Sequence, residues 1–272
     1  MREKFLIKVN EKDTAIEIGE TCFKLKEKIK SNSDLIILNG TLLNEDKRLK
    51  QGDKVVFIKK GQSPTKEELQ ELLILRHTSK VHEKVRKAKI GIAGAGGLGS
   101  NIAISLARLG VGYIKIVDFD IVEPSNLNRQ QYFIKDIGEY KVKALKKHIL
   151  DINPFIEVDD LVEKIEKHNI KEIFKSVDII IEAFDKAKYK ADLCNEVLTN
   201  MKDKKIIASS GMAGFYSSND ITTKKITSKF YVCGDGINES KEGSGLMAPR
   251  VSICANHMAN MALRIILGEE ES

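Results

Sequence analysis

The stretch KIGIAGAGGLGSNIAISLARLG, residues 89–110, decides the fold class. Apolar residues typical of a strand lead into a glycine-rich turn, and apolar residues at helical spacing follow it. We expect Gly94 to permit the tight turn, Gly96 to let a phosphate approach the backbone, and Gly99 to allow close packing of helix on strand. The start of the helix offers unpaired N–H groups to an anion. The motif alone is weak, but strand, loop and helix stand in the required order.

Strands and helices continue to alternate toward the C-terminus. The pattern predicts strands at YIKIVDF, VDIIIEAF and KIIASSG, with helices at GEYKVKALKKHILDIN and KYKADLCNEVLTNM between them. Continuous apolar strands between amphipathic helices indicate a mostly parallel, Rossmann-like sheet with helices on both faces. Residues 87–272 are therefore assigned to one α/β domain, whose ligand is expected at the carboxyl ends of the strands.

A smaller α+β domain is predicted over residues 1–61. KFLIKVN has strand periodicity, TAIEIGE can pair with it, and Thr21 is placed to cap the helix that follows. Asn39-Gly40 is a strong turn signal ahead of the strand DKVVFIKK. This order of elements is that of the β-grasp, or ubiquitin-like, fold.

Residues 62–86 are assigned to a linker helix region, in which the stretch GQSPTKEELQELLILRH is predicted to begin a helix. Ser63 is its expected N-cap and Pro64 its first residue, with glutamates in the first turn. Leu69, Leu72 and Leu73 would share its apolar face.

The stretch VDFDIVEPSNLNRQQ, residues 117–131, points to the kind of nucleotide. Asp118 ends the second strand, where a carboxylate can accept hydrogen bonds from both ribose hydroxyls. NAD needs only neutral contacts to a pyrophosphate, whereas a third phosphate adds charge that a helix dipole cannot balance alone. Arg129, Asn126 and Gln130, with Lys141 further on, supply cations and amide donors. The side chains favour a triphosphate.

Several motifs together resemble the ThiF/MoeB/ubiquitin-activating enzyme superfamily. They are GAGGLG, VDFD, SNLNRQ, the IGxxK pattern, an aspartate after an apolar strand, and GLMAP, in this order within about residues 75–268. The segment LNGTLLNEDKRLKQGDKVVFIKKG is similar to the sulfur carriers ThiS and MoaD. Such carriers end in Gly-Gly with a free carboxylate, whereas this segment continues past KKGQ, so we do not expect it to act as a carrier.

The resemblance implies a nucleotide site and a magnesium ligand. Asp185 would hold Mg²⁺ beside Lys186, which replaces the asparagine usual in the family; the alternative for Asp185 is a helix N-cap. Arg76 is the candidate for an arginine that reaches the phosphates across a dimer. Asp120 either orients Arg129 or is an exposed loop acid. The implied nucleotide contacts are Gly97, Asp118, Ser125, Asn126, Leu127, Asn128, Arg129 and Lys141.

Two features of the family are missing. Of the two CxxC pairs that bind structural zinc in many members only Cys233 remains, so no zinc is predicted. Lys241 stands where relatives that form a thioester or persulfide place a cysteine. Cys233, expected in a glycine-rich loop, is either an alternative nucleophile or a plain half-buried thiol. Cys254 and Met258 fit the core of a helix.

Composition restricts the class of protein. The 272 residues are 42% apolar, which is ample for a core, and the net charge of +6 is scattered rather than gathered in one run. Nucleic-acid binding is therefore the minority interpretation. The four distant cysteines suggest free thiols in a reducing cytoplasm, and neither a membrane span nor a signal peptide is expected.

The expected activity is ATP-dependent adenylation of the C-terminal glycine carboxylate of a ThiS-type sulfur carrier, for thiamine biosynthesis, by a homodimer working with a sulfur donor. The fused β-grasp segment would either occupy the carrier's docking surface or brace the dimer. Alternatives are a MoaD-like carrier, a ubiquitin-like modifier or a tRNA base as substrate. An NAD-dependent oxidoreductase and a non-catalytic scaffold are the remaining alternatives.

Overall fold

The computed structural model describes residues 3–62, 64–241 and 244–270, except the side chains of Glu67, Glu71 and Leu75. The chain divides into two compact units, Met1–Arg76 and His77–Ser272. The predicted N-cap Ser63 lies outside the described residues. The predicted boundaries at 61 and 86 stay predictions.

Residues 4–58 of the first unit have the β-grasp arrangement, in which α1 packs on a mixed sheet with the order β2-β1-β5-β3-β4. β1 pairs antiparallel with β2 and parallel with β5, as the sequence pattern requires. The fold prediction for this unit is confirmed, with one further short strand. Its elements are β1 (Lys4–Val9), β2 (Lys12–Glu17), α1 (Cys22–Ile29), β3 (Leu35–Leu38), β4 (Thr41–Leu42) and β5 (Lys54–Ile58).

Local signals of the first unit act as predicted. Asn39 and Gly40 have φ angles of 51° and 83°, the left-handed geometry of the hairpin turn that joins β3 to β4. The side chain of Thr21 accepts a hydrogen bond from the Lys24 N–H and caps α1. Alternate residues of β1 point into the core, where Ile7 and Val9 are buried.

The helix predicted in GQSPTKEELQELLILRH is present as α2 (Lys66–His77), and a second helix that was not predicted, α3 (Ser79–Lys87), follows it. Thr78, at a φ of 68°, interrupts the helical backbone between them. The start of α2 was predicted too early. Thr65 Oγ1 accepts the Glu68 N–H at 3.2 Å and Glu68 Oε2 accepts the Thr65 N–H at 2.9 Å, a capping box that places the first turn after Pro64. Leu72 is 45% exposed rather than part of a buried face.

The second unit is built on a seven-stranded sheet with the order β11-β12-β10-β9-β6-β7-β8. Every neighbouring pair is parallel except β11 with β12. The Rossmann-like α/β class is therefore confirmed. After α3, its elements are β6 (Lys89–Ala93), α4 (Gly97–Leu109), β7 (Tyr113–Val117), α5 (Lys141–Ile152), β8 (Glu157–Leu161), α6 (Ile170–Ile173), β9 (Ile179–Glu182), α7 (Ala187–Asn200), β10 (Lys205–Ser209), β11 (Thr222–Thr227), β12 (Phe230–Gly234) and α8 (Ala248–Leu267).

Helices cover both faces of this sheet. On β9, Ile179 and Ile181 belong to the apolar core under α4, α5 and α8, whereas Ile180 belongs to a second core under α6 and α7. A strand buried on both faces needs apolar residues at successive positions, which explains the three consecutive isoleucines of β9, residues 179–181. α4 and α8 pack together on the first of these faces.

Strands at the two edges of the sheet were not predicted. β8 has the sequence EVDDL, whose charged residues are accommodated because an edge strand is open to solvent. β12 and its neighbour β11 were taken for loop, and Cys233 was placed in that loop. This placement was wrong, since Cys233 lies on β12 with a fully buried side chain.

The C-terminal helix α8 buries one side against the sheet. Cys254 and Met258 are fully buried, as predicted. His257 Nδ1 lies 3.1 Å from the hydroxyl of Thr223, so this histidine packs against β11. No helix in the described part of the chain combines the length and apolarity needed to cross a bilayer.

Candidate nucleotide-binding site

The glycine turn joins β6 to α4 at the carboxyl edge of the sheet. Gly94 has a φ of +102°, and a Cβ there would stand 2.8 Å from the carbonyl oxygen of Ala183. A Cβ on Gly99 would stand 1.9 Å from the carbonyl oxygen of Gly94, so helix and strand approach as closely as backbone allows. The structural roles predicted for these two glycines are confirmed.

Gly96 differs from its neighbours in facing open space. No described atom lies within 4 Å of a Cβ built on it. Gly96 is the N-cap of α4, where the first backbone N–H groups have no acceptor within the helix. The predicted approach of a phosphate to Gly96 is compatible with this opening and stays a prediction.

Asp118 ties the end of β7 to the glycine turn. Its Oδ2 accepts the N–H of Ala95 at 2.7 Å, and its Oδ1 accepts the N–H of Asp120 at 2.8 Å. Burial raises the pKa of Asp118 above its usual value. Each carboxylate oxygen retains a second lone pair for a ribose hydroxyl, so the predicted ribose contact stays open to test.

Arg129 lies over the first residue of α4. Its Cγ and Cδ are 3.5 and 3.7 Å from the position of a Cβ on Gly97. Its Nη1 donates to the Ser125 carbonyl at 3.2 Å and to Asn128 Oδ1 at 2.7 Å. Its Nε is buried and has no partner among the described residues, and neither has Oε1 of Gln130. The structure therefore brings a cation from the loop after β7 to the start of α4.

Polar contacts that were not predicted fasten this loop to α4. The side-chain amide of Asn101 donates to the carbonyl oxygens of Gly97 at 2.7 Å and Arg129 at 3.1 Å. Gln131 Nε2 donates to Asn101 Oδ1 at 2.7 Å, and the Tyr132 hydroxyl donates to the Ala95 carbonyl at 2.8 Å. In the sequence, the one indication of these contacts is Asn101, a polar residue in the second turn of a largely apolar helix.

The other predicted residues of the SNLNR motif divide into two groups. Asn126 is buried, and its Oδ1 accepts the Glu123 N–H at 3.0 Å, which stabilises the turn that precedes Arg129. Leu127 packs against the core of the second unit. Ser125 and Asn128 are exposed beside Arg129. Direct nucleotide contacts by these four residues stay predictions.

Lys141 begins α5 and pairs with Asp120. Its Nζ lies 2.8 Å from Asp120 Oδ2, and its backbone N–H donates to the Asp120 carbonyl at 2.9 Å. The lysine side chain is 8% exposed and that of Asp120 is 50% exposed. Asp120 is an exposed acid of the loop, as one of its two alternatives holds, and it also pairs with Lys141, which neither alternative foresaw.

Asp185 is exposed in the segment that follows β9. Lys186, also exposed, is the N-cap of α7, so the alternative of Asp185 as N-cap was wrong. No hydrogen bond or ion pair to the Asp185 carboxylate occurs among the described residues, and these residues contain no cluster of three or more His, Cys, Asp or Glu suited to a metal. Mg²⁺ is commonly held by one or two carboxylates together with substrate phosphates, so an unpaired Asp185 fits a magnesium site.

The cysteine and Arg76 predictions have different outcomes. Arg76 is exposed near the end of α2 in the first unit, and its role across a dimer stays a prediction. Lys241 is exposed and exchanges backbone hydrogen bonds with Ser244. Burial raises the pKa of Cys233 to about 11, so its thiol is neutral at physiological pH. The interpretation as a buried, inert thiol is the one supported.

A buried ion pair that was not predicted organises the loops near α8. Arg250, in the first turn of α8, pairs with Asp235 and donates to the carbonyl oxygens of Tyr216 and Ser217. Burial alone would raise the pKa of Asp235, but hydrogen bonds from the backbone and side chain of Asn238, from the Ile237 N–H and from Arg250 lower it to about 2.

Comparison with known proteins agrees with this geometry. Residues 70–272 match the profile of the ThiF family. The chain belongs to the ThiF family. Residues 5–61 match the ThiS-like ubiquitin family, in agreement with the β-grasp fold of the first unit.

Relatives and solved structures cover different parts of this ThiF-family chain. A probable molybdopterin-synthase adenylyltransferase of Porphyra purpurea is 44% identical over 104 residues, 38% of this chain and 27% of that protein. A sulfur carrier protein adenylyltransferase of Thermus thermophilus is 32% identical over 126 residues, 44% of this chain and 46% of that protein. The chain spans from 26% to 52% of the length of the curated relatives it matches.

The solved tRNA N6-threonylcarbamoyladenosine dehydratase TcdA of E. coli, in complex with ATP, shares the fold. It superposes with a TM-score of 0.68 at 20% identity, covering 76% of this chain and 98% of that one. At this identity the likeness concerns the fold alone.

Proposed function

We propose that this chain adenylates the C-terminal glycine carboxylate of a ThiS-type sulfur carrier with ATP. The observation that carries the proposal is the position of Arg129, whose side chain lies against Gly97 at the open N-terminus of α4. Its guanidinium, which donates to the Ser125 carbonyl and to Asn128 Oδ1 nearby, would add a full positive charge beside the partial charge of the helix end. That combination suits a triphosphate better than the pyrophosphate of NAD.

The reaction needs alignment and charge compensation but no nucleophile from the protein. A carboxylate oxygen of the carrier attacks the α-phosphorus, an O–P bond forms, and the bond from the α-phosphorus to the bridging oxygen breaks. The products are the acyl adenylate and pyrophosphate, whose developing negative charge must be stabilised as it forms. In this proposal Arg129 and Lys141 supply cations, the N–H groups at the start of α4 supply dipoles, and Asp118 orients the ribose.

Asp185 is the residue that we propose holds Mg²⁺. When bound, the ion neutralises phosphate charge and supports departure of pyrophosphate. The neighbouring Lys186 adds local positive charge, which tends to weaken binding of a cation and to strengthen binding of phosphates. The protein's own part is therefore a single carboxylate at the end of β9.

Two findings support a sulfur carrier as the substrate. The Thermus relative carries that name, and residues 5–61 of this chain match the ThiS-like family. Assignment to thiamine synthesis is a finer part of the proposal, as are a homodimer, a sulfur-donor partner, a cytoplasmic location and the absence of zinc. A MoaD-like carrier and a tRNA base are the competing substrates.

Incubation with ATP, Mg²⁺ and separate purified candidates tests the proposal. Intact mass measurement should show a gain of one AMP on a ThiS-type carrier, and none on a carrier that lacks its terminal glycine. Gain on a MoaD-like carrier alone would move the assignment to that substrate. Conversion of a modified tRNA with no carrier adenylation would contradict the proposal, as would tighter binding of NADH than of ATP.

A further inference from the structure

A partly buried ion pair joins the carboxyl ends of β9 and β10. Glu182 is fully buried, and Lys190 Nζ lies 3.0 and 2.9 Å from its two carboxylate oxygens. The same ammonium group donates to Ser209 Oγ at 2.7 Å, and the Ser209 N–H donates to Glu182 Oε2 at 3.2 Å. These contacts join the last residues of β9 and β10 to the first turn of α7.

The cluster also fastens the segment between β9 and α7, residues 183–186. Oε1 of Glu182 accepts the N–H of Phe184 at 2.6 Å, which fixes the start of the segment. Lys190 fixes its other end, because its side chain lies in the first turn of α7 and its ammonium group ties that turn to Glu182 at the end of β9. Asp185 lies between the two fastened points, and its own carboxylate is exposed.

The segment also touches the glycine turn. The carbonyl oxygen of Ala183 packs against Gly94 so closely that a Cβ on this glycine would stand 2.8 Å from it. Glu182 and Lys190 therefore fix a backbone segment that contacts the turn on one side and presents Asp185 on the other.

Stability alone does not account for such a pair. Removing two charges from water is costly, and apolar side chains of similar volume often stabilise a fold as well or better. A hydrogen-bonded ion pair also fixes the orientation of each donor group relative to its acceptor. Here these directions determine the backbone path of residues 183–186.

We propose that Glu182 and Lys190 are positioning residues that hold Asp185 where it meets the magnesium ion of bound MgATP. This inference rests on the proposed function for the identity of the ion and the nucleotide. Neither residue touches substrate; both act through the backbone next to Asp185. Partners that orient a metal ligand in this way typically change metal affinity about 10- to 100-fold when they are replaced.

Nucleotide binding tests the inference without a carrier protein. Affinity of a fluorescent ATP analogue is measured with and without Mg²⁺ for the wild type, Lys190→Met, Lys190→Arg and Asp185→Asn. In the wild type Mg²⁺ should tighten binding. Lys190→Met should lose most of this gain, as Asp185→Asn does, while affinity without Mg²⁺ changes little. Lys190→Arg should restore the gain because it keeps a cation with several donors.

A second variant guards against loss of folding. Lys190→Met leaves Glu182 as an unpaired buried charge, whereas the double variant Glu182→Gln, Lys190→Met replaces the pair by neutral groups. The double variant should fold and still need about 10-fold more Mg²⁺ for half-maximal binding of the nucleotide. Hydrogen exchange should also be faster at the amides of residues 183–186. The matched control is Lys175→Met, which removes the exposed pair with Glu172 and should leave the Mg²⁺ dependence unchanged.

The outcomes separate this inference from the proposed function. A folded double variant with wild-type Mg²⁺ dependence and wild-type exchange overturns the positioning role. If Mg²⁺ fails to tighten nucleotide binding in every variant and in the wild type, the metal site is refuted, and this inference is refuted with it. Wild-type protein that binds MgATP normally but forms no acyl adenylate contradicts the proposed function and leaves the positioning role supported by the binding data.

Discussion

Arg129 lies across Gly97, with its Cγ 3.5 Å from the position that a Cβ on this glycine would occupy. The two residues are 32 positions apart in the chain, and only the parallel arrangement of β6 and β7 brings them together. Asn101 reinforces the contact by donating to the carbonyl oxygens of both. The cation is thus held at the helix start by backbone as well as by its own side chain.

Replacing Arg129 should therefore impair the reaction more than it impairs the fold. We expect Arg129→Ala to lower kcat/KM for ATP–pyrophosphate exchange about 100-fold, because a donor to developing charge is lost. Arg129→Lys should recover part of the loss, since charge remains but the forked donor geometry does not. Arg108→Ala, an exposed arginine at the end of α4, is the control and should behave as wild type. Full exchange activity in Arg129→Ala would remove the basis of the proposed site.

Alanine substitutions at Gly99 and Gly96 should affect different properties, the stability of the fold and the affinity for ATP respectively. Gly99→Ala places a Cβ 1.9 Å from a backbone oxygen, so we expect a loss of about 2 kcal/mol or more in the free energy of unfolding. Gly96→Ala meets no described atom and should unfold at nearly the wild-type temperature. Its methyl group nonetheless occupies the proposed phosphate approach, so ATP binding should weaken. Thermal unfolding and nucleotide titration measure the two effects; unchanged ATP affinity in Gly96→Ala would argue against phosphate at this position.

The Asp235–Arg250 pair should make the protein sensitive to acid. The pKa of Asp235 is lowered from 3.8 to about 2, so the folded state favours the charged carboxylate. The resulting stability, about 2 kcal/mol, is present above pH 3.8 and is lost as the pH falls toward 2. Asp235→Asn should abolish this dependence and also destabilise the protein by about 3 kcal/mol at neutral pH, because Arg250 remains buried and unpaired.

Chemical unfolding at pH 7, 4 and 2.5 measures this acid dependence. Asp151→Asn, which alters an exposed acid near the end of α5, serves as the control and should keep the wild-type pH profile. An Asp235→Asn variant that keeps the same acid-dependent loss as the wild type would show that other groups cause it.

All four thiols should be unreactive in the folded protein. Burial raises the pKa of Cys194 and Cys254 to about 12 and that of Cys233 to about 11, and it also raises the pKa of Cys22. Because the thiolate is the reactive form, iodoacetamide at pH 7 should label the cysteines only after denaturation. Mass spectrometry of labelled peptides gives the counts. Rapid labelling of native Cys233, or loss of adenylation in Cys233→Ala, would restore it as a candidate nucleophile.

The sequence predicts those parts of the fold in which local signals and packing agree. The strand, turn and helix around Gly94 were predicted because one motif specifies all three, and the Asn39-Gly40 hairpin because left-handed backbone is encoded locally. β8 was missed because its charged residues mask strand periodicity at a sheet edge. Cys233 was misplaced because glycines near it suggested a loop, although pairing with β10 determines its strand.

The sequence predicted which residues belong to the site but not which of them pair with one another. Motif order indicated Arg129, Lys141 and Asp185, but pairing across the fold could not be derived from spacing. Asp120 lies closer in sequence to Arg129 than to Lys141, yet a backbone hydrogen bond at the start of α5 sets its partner. Glu182 directly follows the apolar residues of its strand. Its burial depends on its pairing with Lys190, and the helical pattern of the sequence indicates Lys190 only as a surface lysine.

Charged residues on the two edge strands of the seven-stranded sheet disfavour the addition of further strands. β11 exposes Lys224 and Lys225 along one margin, and β8 carries Asp159 and Asp160 along the other. An extended segment of another molecule could pair with either edge strand only if its side chains lay beside these charges. The charges therefore disfavour the addition of further strands to the sheet by hydrogen bonding. The central strand β9 carries three consecutive isoleucines, so we expect charged residues at the two edges to matter for keeping sheets of separate molecules from pairing.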